Sequence, residues 1–338
     1  MTRTVIAFVS GGLCVAIVFL AVRFTDSPPS SSLASAAASR AAAEVREQML
    51  PHAVTLATGD IADQRAILDE YFFAPRIEEA RELYPVREEV VEMDGVYTEV
   101  FIPAQGVPPR NADRVLINLH GGAFSLGART EGRLESIPVA SVAGMRVVSV
   151  DYRQGPEHRF PAASEDVAAV YRHLLQEHTP QQIGIFGCSA GGMLTAQSVA
   201  WFDAHGLPQP GAVGIFCAVA GQFGVGDAAV IAEAFGENPG SGELAYFADA
   251  DWSDPLVAPI DHPALLGRFP PTLVITSTRD PALSSASATH QRLIGAGAES
   301  ELHVYEGLTH YFFANTDLPE SRHVFDVIAA FFDRRLAR

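Results

Sequence analysis

The chain has 338 residues, 48% of them hydrophobic, with 40 acidic against 23 basic side chains and a formal net charge of -17. That is enough for one large α/β domain with small additions, or for two modest domains. The acidic balance and the lack of a Lys/Arg-rich block argue against nucleic-acid binding, so the excess charge reads as a solvating surface. Cys14, Cys188 and Cys217 form neither a C-x-x-C pair nor a disulfide framework, and there is no zinc spacing, H-E-x-x-H or P-loop lysine motif.

Residues 5–22 are uncharged and mostly apolar, between Arg3 and Arg23. The run is near the lower limit for spanning a bilayer and slightly long for a signal-peptide core. A small-x-small site exists only well beyond it, at Ala34-Ser35-Ala36. Residues 1–24 therefore read as an N-terminal anchor in preference to a cleaved signal. Arg3 and the amino terminus favour an N-terminus held inside, which puts the main body on the periplasmic or other extracytoplasmic side, membrane-anchored or exported. Residues 25–39, rich in Ser, Ala and Pro, read as a low-complexity linker. Over residues 40–84 two or three helices are predicted, and Ile61 to Phe73 carries apolar residues near helical spacing. This helical preface reads equally as part of a cap or as a stabilising extension.

From residue 85 the pattern changes. Val86 to Pro103 alternates around Asp94-Gly95 and predicts an antiparallel hairpin. Buried-type strands follow at Arg114 to Leu119, Arg146 to Val150, Gln182 to Phe186, Gly211 to Ala220, Pro271 to Ser277 and Glu301 to Tyr305. Helices are predicted at Glu131 to Ala143, Ala163 to Glu177 and, closing the chain, Pro319 to Arg338. Such alternation predicts an α/β fold with a mostly parallel central sheet flanked by helices. Residues 222–262, rich in Gly, Asp and Pro, interrupt it and read as an insertion above the sheet.

The strand ending at Phe186 runs into Gly187-Cys188-Ser189-Ala190-Gly191 and then a helix from Met193 to Phe202. The pentapeptide fits the G-x-S-x-G nucleophile elbow, in which a strained strand-to-helix turn exposes the serine hydroxyl. The pattern recurs by chance, so its weight comes from its partners. His120-Gly121-Gly122-Ala123-Phe124 follows another strand, and adjacent glycines there would leave N–H groups bare for a substrate oxyanion. Asp280 follows the penultimate strand, although a turn or N-cap Asp is equally common. His310 lies in the loop after the last strand among apolar residues, unlike His173, His178 and His205, which read as exposed on helix surfaces. Ser189, Asp280 and His310 stand in the chain order of an α/β-hydrolase triad, each at the carboxyl end of a strand.

The chain resembles the hormone-sensitive-lipase-like family of α/β-hydrolase esterases. The matching pieces are His120-Gly121-Gly122-Ala123-Phe124, the segment from Asp151 to Ala163, Gly187 to Gly192, Arg279-Asp280-Pro281 and Gly307-Leu308-Thr309-His310, so the likeness runs from about Tyr84 to the C-terminus. The resemblance implies an α/β-hydrolase fold with a helical cap, Ser189 as nucleophile, His310 as base and acid, and Asp280 as orienting acid. It places the oxyanion donors on the N–H groups of Gly121, Gly122 and Ala190. It implies no cofactor, no metal, and small-molecule carboxylic esters as substrates. Three positions depart from the family pattern. Ala123 replaces a third glycine, Cys188 replaces the usual aspartate before the nucleophile, and Ser284 replaces a second acidic residue. Cys188 reads as a small buried thiol, and Tyr152, Arg153 and Glu157 read as scaffold beside the site. A non-catalytic ligand-binding protein on the same fold and an acyltransferase or peptidase with the same triad remain as alternatives. Alkaline carbonate extraction tests the anchor. The full-length chain should stay with membranes and a form starting near Arg40 should be released; release of the uncleaved full-length chain would refute it.

Overall fold

A computed structural model describes residues 31–233 and 244–337 of the chain. The apolar run 5–22, most of the first half of the linker and residues 234–243 of the insertion lie outside the described residues. Among the described residues no helix is long and apolar enough to cross a membrane.

The first helix, α1 (Ala36–Met49), begins inside the stretch read as linker. Ser35 explains the early start: its hydroxyl accepts from the Ala38 N–H at 3.0 Å, as an N-cap does, and Glu320 holds Ser35 in place at 2.8 and 3.0 Å. Helices α2 (Ala53–Thr58) and α3 (Ile61–Ile67) follow. The single helix predicted from Ile61 to Phe73 instead widens into a π-turn over Leu68–Phe73, directly before α4 (Ala74–Leu83) with Pro75 in its first turn. Proline has no N–H to give to an α-helical ladder, and a widened turn accommodates that loss.

The eight strands are β1 (Val86–Met93), β2 (Val96–Pro103), β3 (Val115–Leu119), β4 (Arg146–Val150), β5 (Ile183–Cys188), β6 (Ala212–Phe216), β7 (Thr272–Ser277) and β8 (Ser300–Tyr305). They form one sheet in the order β1-β2-β4-β3-β5-β6-β7-β8. The predicted hairpin is β1–β2, closed by Asp94 and Gly95 with φ of 50° and 85°, the backbone a two-residue primed turn needs. From β4 to β8 all pairs are parallel. Helices α5 (Glu131–Ala143), α6 (Ala162–Leu174), α7 (Ala190–Ala204), α8 (Asp227–Glu233), α9 (Pro263–Leu266), α10 (Leu283–Gly295) and α11 (Pro319–Arg335) complete the described α-helices.

Alternate strand residues supply two cores, as a period of two requires. Val115, Ile117 and Leu119 of β3 join Ile183 and Ile185 of β5 against α6 and α7, through Val167 and Val199. Leu116, Val147, Phe186 and Ile275 face the other way, onto Ile137 of α5 and Phe325 and Ile328 of α11. The N-terminal helices join this second core through Ala38, Phe73 and Ile77. Strands buried on both faces explain the near-continuous apolar runs in the sequence. Strand β6 is shorter than predicted because Cys217, with φ of 48°, turns the chain out of extended geometry. His178, read as exposed, is buried: its Nδ1 lies 2.8 Å from the Asp113 carbonyl.

The register aligns the carboxyl ends. Leu119 pairs with both Val150 and Gly187, Cys188 with Phe216, and Ser277 with Tyr305, so the loops after β3, β5, β7 and β8 leave from one edge. The chain can cross from β5 to α7 there only because Gly191 has no β-carbon; one would be driven into the Leu119 carbonyl. Gly191→Ala should therefore destabilise the protein by at least the ~1–3 kcal/mol typical of an overpacked core. Urea unfolding measures it, and a wild-type midpoint would contradict this account of the turn.

Candidate active site

Ser189 sits between β5 and α7 with φ of 57° and ψ of -122°, a backbone conformation that a side chain rarely adopts. Its N–H donates to the Phe216 carbonyl at 2.8 Å, which pins the turn to the next strand. The structure brings the three residues singled out in the sequence together. Ser189 Oγ lies 3.0 Å from His310 Nε2, and His310 Nδ1 lies 2.9 Å from Asp280 Oδ1. An ionised carboxylate only accepts hydrogen bonds, so Nδ1 carries the proton and Nε2 is left to accept from the Ser189 hydroxyl.

Asp280 is fully buried. Burial pushes its carboxyl up, but the charge and hydrogen bond of His310, the Ala282 N–H at 2.8 Å and the Thr276 hydroxyl at 3.0 Å together hold it below the ordinary value. These donors support the acid loop. Ser284, where the family pattern has an acid, instead accepts from the Ala228 N–H at 2.9 Å and ties α10 to α8.

The loop after β3 turns through three consecutive positive φ angles, at Gly122, Ala123 and Phe124. Among the described residues, the N–H groups of Gly121, Gly122 and Ala190 donate to no backbone carbonyl. Their carbonyl side is held. The Tyr152 hydroxyl donates to the His120 carbonyl at 2.7 Å and reaches the Gly121 carbonyl at 3.3 Å. The His120 ring stacks on Tyr152 at 4.2 Å, and its Nδ1 reaches the Gly121 carbonyl at 2.9 Å. Burial lowers the His120 pKa and favours the neutral ring. Tyr152 thus supports the loop, in line with its reading as scaffold. Arg153 does so at one remove, clasping Asp166 at 2.9 and 3.0 Å.

Other contacts were not legible as site features. Arg65 of α3 donates to the Ser125 and Gly155 carbonyls, both at 2.8 Å, and to Glu157 at 2.6 and 2.8 Å, joining the helical preface to the loops around the serine. From the insertion, Tyr246 stacks on Phe124 at 4.9 Å, and Phe223 meets the His310 ring edge-on at 5.5 Å. Two wholly buried acids, Glu131 and Glu135, face inward from α5. Their four-residue spacing on a helix otherwise apolar on that face was the available signal. Cys188 is a buried free thiol, pushed up by burial and by its neighbour Cys217. Cys217, Asp280 and His310 place ligand-type atoms within 4.8 Å of one another. The Asp280–His310 hydrogen bond accounts for two of them, and we assign no ion there.

The family described as alpha/beta hydrolase fold matches residues 116–314. An acetyl-hydrolase of Streptomyces hygroscopicus is 30% identical over 231 residues, covering 66% of this chain and 77% of that protein. The crystal structure of an esterase, E25, matches with a TM-score of 0.78 at 32% identity, over 92% of this chain and 98% of that one. An esterase from the bacterial hormone-sensitive lipase (HSL) family shares the fold, with a TM-score of 0.74 at 24% identity over 90% of this chain and 99% of that one. The chain belongs to the α/β-hydrolase fold family. Within that family it is a carboxylic ester hydrolase.

Because the folded Asp280 carboxyl lies below its ordinary value of about 4, its contribution to stability is present above that value and is lost as pH falls through the folded one. Thr276→Val removes one donor to a charged group, a loss of about 1.5–3 kcal/mol. Its acid unfolding midpoint, followed by tryptophan fluorescence, should move to higher pH; an unchanged midpoint would show that the hydroxyl does not support the carboxylate.

Proposed function

We propose that the protein is a serine carboxylesterase acting on short- to medium-chain carboxylic esters through an acyl-enzyme. The observation that carries this is the continuous hydrogen-bonded line from Ser189 Oγ through His310 to the buried Asp280. In the first half-reaction Nε2 takes the hydroxyl proton as Ser189 Oγ attacks the ester carbonyl carbon. Charge gathers on the carbonyl oxygen, where the N–H groups of Gly121, Gly122 and Ala190 receive it. The α7 N-terminus adds its dipole to that stabilisation. His310 then returns the proton to the leaving alcohol. Water, deprotonated by the same nitrogen, releases the acid. Asp280 stays ionised throughout and stabilises the imidazolium.

Three features support a modest acyl group. The sequence relative named above is an acetyl-hydrolase. Ala123 puts a methyl where the family pattern has hydrogen. Phe124, Tyr246 and Phe247 crowd together beside the oxyanion loop. The helical preface and the insertion act as the cap, with Arg65 as its tie to the catalytic loops. Residues 5–22, read from sequence alone, would anchor this enzyme at a membrane with the cap and site outside the cytoplasm.

Ser189→Ala is expected to lower turnover of a short p-nitrophenyl ester by about 10⁶-fold and to abolish organophosphate labelling, with the unfolding midpoint retained. Asp280→Asn should cost about 10⁴-fold by favouring the wrong tautomer of His310. Undiminished turnover by Ser189→Ala would overturn the assignment.

A further inference from the structure

The mechanism makes no use of Glu131, yet its carboxyl is built into the oxyanion loop. Glu131 is the first residue of α5, and its side chain folds back beneath the loop that leads into the helix. Its Oε1 fills the space a β-carbon on Gly121 would need. Its Oε2 lies 3.0 Å from where a β-carbon on Gly122 would stand and 2.5 Å from that of Gly127. Three glycines of one loop thus leave a cradle that this carboxyl occupies. Oε2 is buried without a hydrogen-bond partner among the described residues. The backbone oxygen of the same residue receives the Tyr311 hydroxyl at 3.4 Å, so Glu131 also touches the chain next to His310.

The surroundings of the carboxyl decide its protonation state. Glu135 lies one turn along the same helix, and Tyr152, after β4, and Tyr311, after β8, face it. His120 follows β3 on the same side of α5 and, buried, favours the neutral ring. Cys188 presents a carbonyl and a buried neutral thiol at the end of β5. The Leu126 carbonyl borders the same glycines. Of the charged side chains acting on Glu131, His310 favours its charge, as does the N-terminus of α5 on which it sits, and burial outweighs them. A carboxylate among carbonyl oxygens is repelled, whereas a neutral acid has a proton to offer them.

We propose that Glu131 is a positioning residue for the oxyanion loop, acting as a neutral carboxylic acid wedged beneath Gly121 and Gly122, and that its ionisation turns the esterase down on the alkaline side. Ionised, the same group would set a negative charge against the two amides that must receive the oxyanion, in a site where water does not screen it. It would oppose the transition state more than the neutral ester, so the loss falls on kcat and spares KM. Burial pushes the Glu131 carboxyl up to about 8, which places the transition in an accessible range. This inference rests on the reading of Gly121 and Gly122 as oxyanion donors.

The test is the pH profile of kcat and KM for p-nitrophenyl acetate, corrected for spontaneous hydrolysis. The wild type should lose about tenfold or more of kcat between pH 7 and 9.5, midpoint near 8, with KM changed less than about threefold. Glu131→Gln, which stays neutral, should lose that descending limb and lower kcat at pH 7 less than Glu131→Ala does. Glu135→Gln should keep the limb. A flat wild-type profile overturns the inference without any variant. So does a limb that survives in Glu131→Gln or disappears in Glu135→Gln. Thermal unfolding gives a second readout: the folded state keeps a proton that the unfolded chain loses from about pH 4.5 upward, so wild-type stability should fall toward pH 8 relative to Glu131→Gln. A wild type that neither hydrolyses the ester at any pH nor takes up an organophosphate would instead defeat the esterase reading itself.

Discussion

The Leu119 carbonyl lies against the α-carbons of both Gly187 and Gly191, and the site depends on that packing. It brings the end of β3 into contact with the turn between β5 and α7. The loop that offers Gly121 and Gly122 starts one residue after Leu119. The turn that strains Ser189 into positive φ is closed by the same contact. No side chain fits between them, so the distance from Ser189 to the loop of Gly121 and Gly122 is set by backbone against backbone. Dense interiors transmit such constraints with little give. Parallel register then does the rest, because residues 280 and 310 leave β7 and β8 from the same edge.

Around this backbone frame lie three of the buried carboxyls among the described residues, Asp280, Glu131 and Glu135, and they are treated in opposite ways. Asp280 receives a backbone N–H, a hydroxyl and the His310 ring, and these outweigh the desolvation that would neutralise it. Glu131 has no such donors, and burial dominates. Glu135 receives the Asn118 side-chain amide and the Cys188 backbone N–H, yet burial still leaves it raised. One acid is thus held charged next to His310, and two are held near neutral beneath the loop of Gly121 and Gly122. Groups of the same chemistry acquire different roles through what is placed around them.

The fold was legible because its strands are short, apolar and separated by helices of ordinary length. The candidate site was legible where a motif carries a steric demand, as in the glycines around Ser189, or where a residue lies in the loop after a strand, as Asp280 does. What escaped depends on contacts between distant segments. His178 reads as exposed on a helix, but the Asp113 carbonyl 65 positions earlier meets its ring. Arg65 looks like one more surface charge on an amphipathic helix until the 125 and 155 carbonyls arrive beneath it. The end of β6 depends on Cys217 adopting positive φ, which nothing in Phe216-Cys217-Ala218 announces. The start of α1 depends on Ser35, one serine among many, being chosen by Glu320 from the far end of the chain.

Cys188 shows how a lost acidic group can be replaced from elsewhere. The family pattern puts an aspartate beneath the nucleophile, and this chain puts there a thiol that burial keeps neutral. The Cys188 backbone N–H instead meets the carboxyl of Glu135, from the helix that follows the oxyanion loop. An acidic group therefore still lies under the elbow, but it belongs to a different element and shares its region with Glu131. The polar ground beneath Ser189 is in this way coupled to the loop of Gly121 and Gly122. Ser189 and that loop then sense one common electrostatic surrounding, whereas an aspartate at position 188 would have given the elbow an acid of its own.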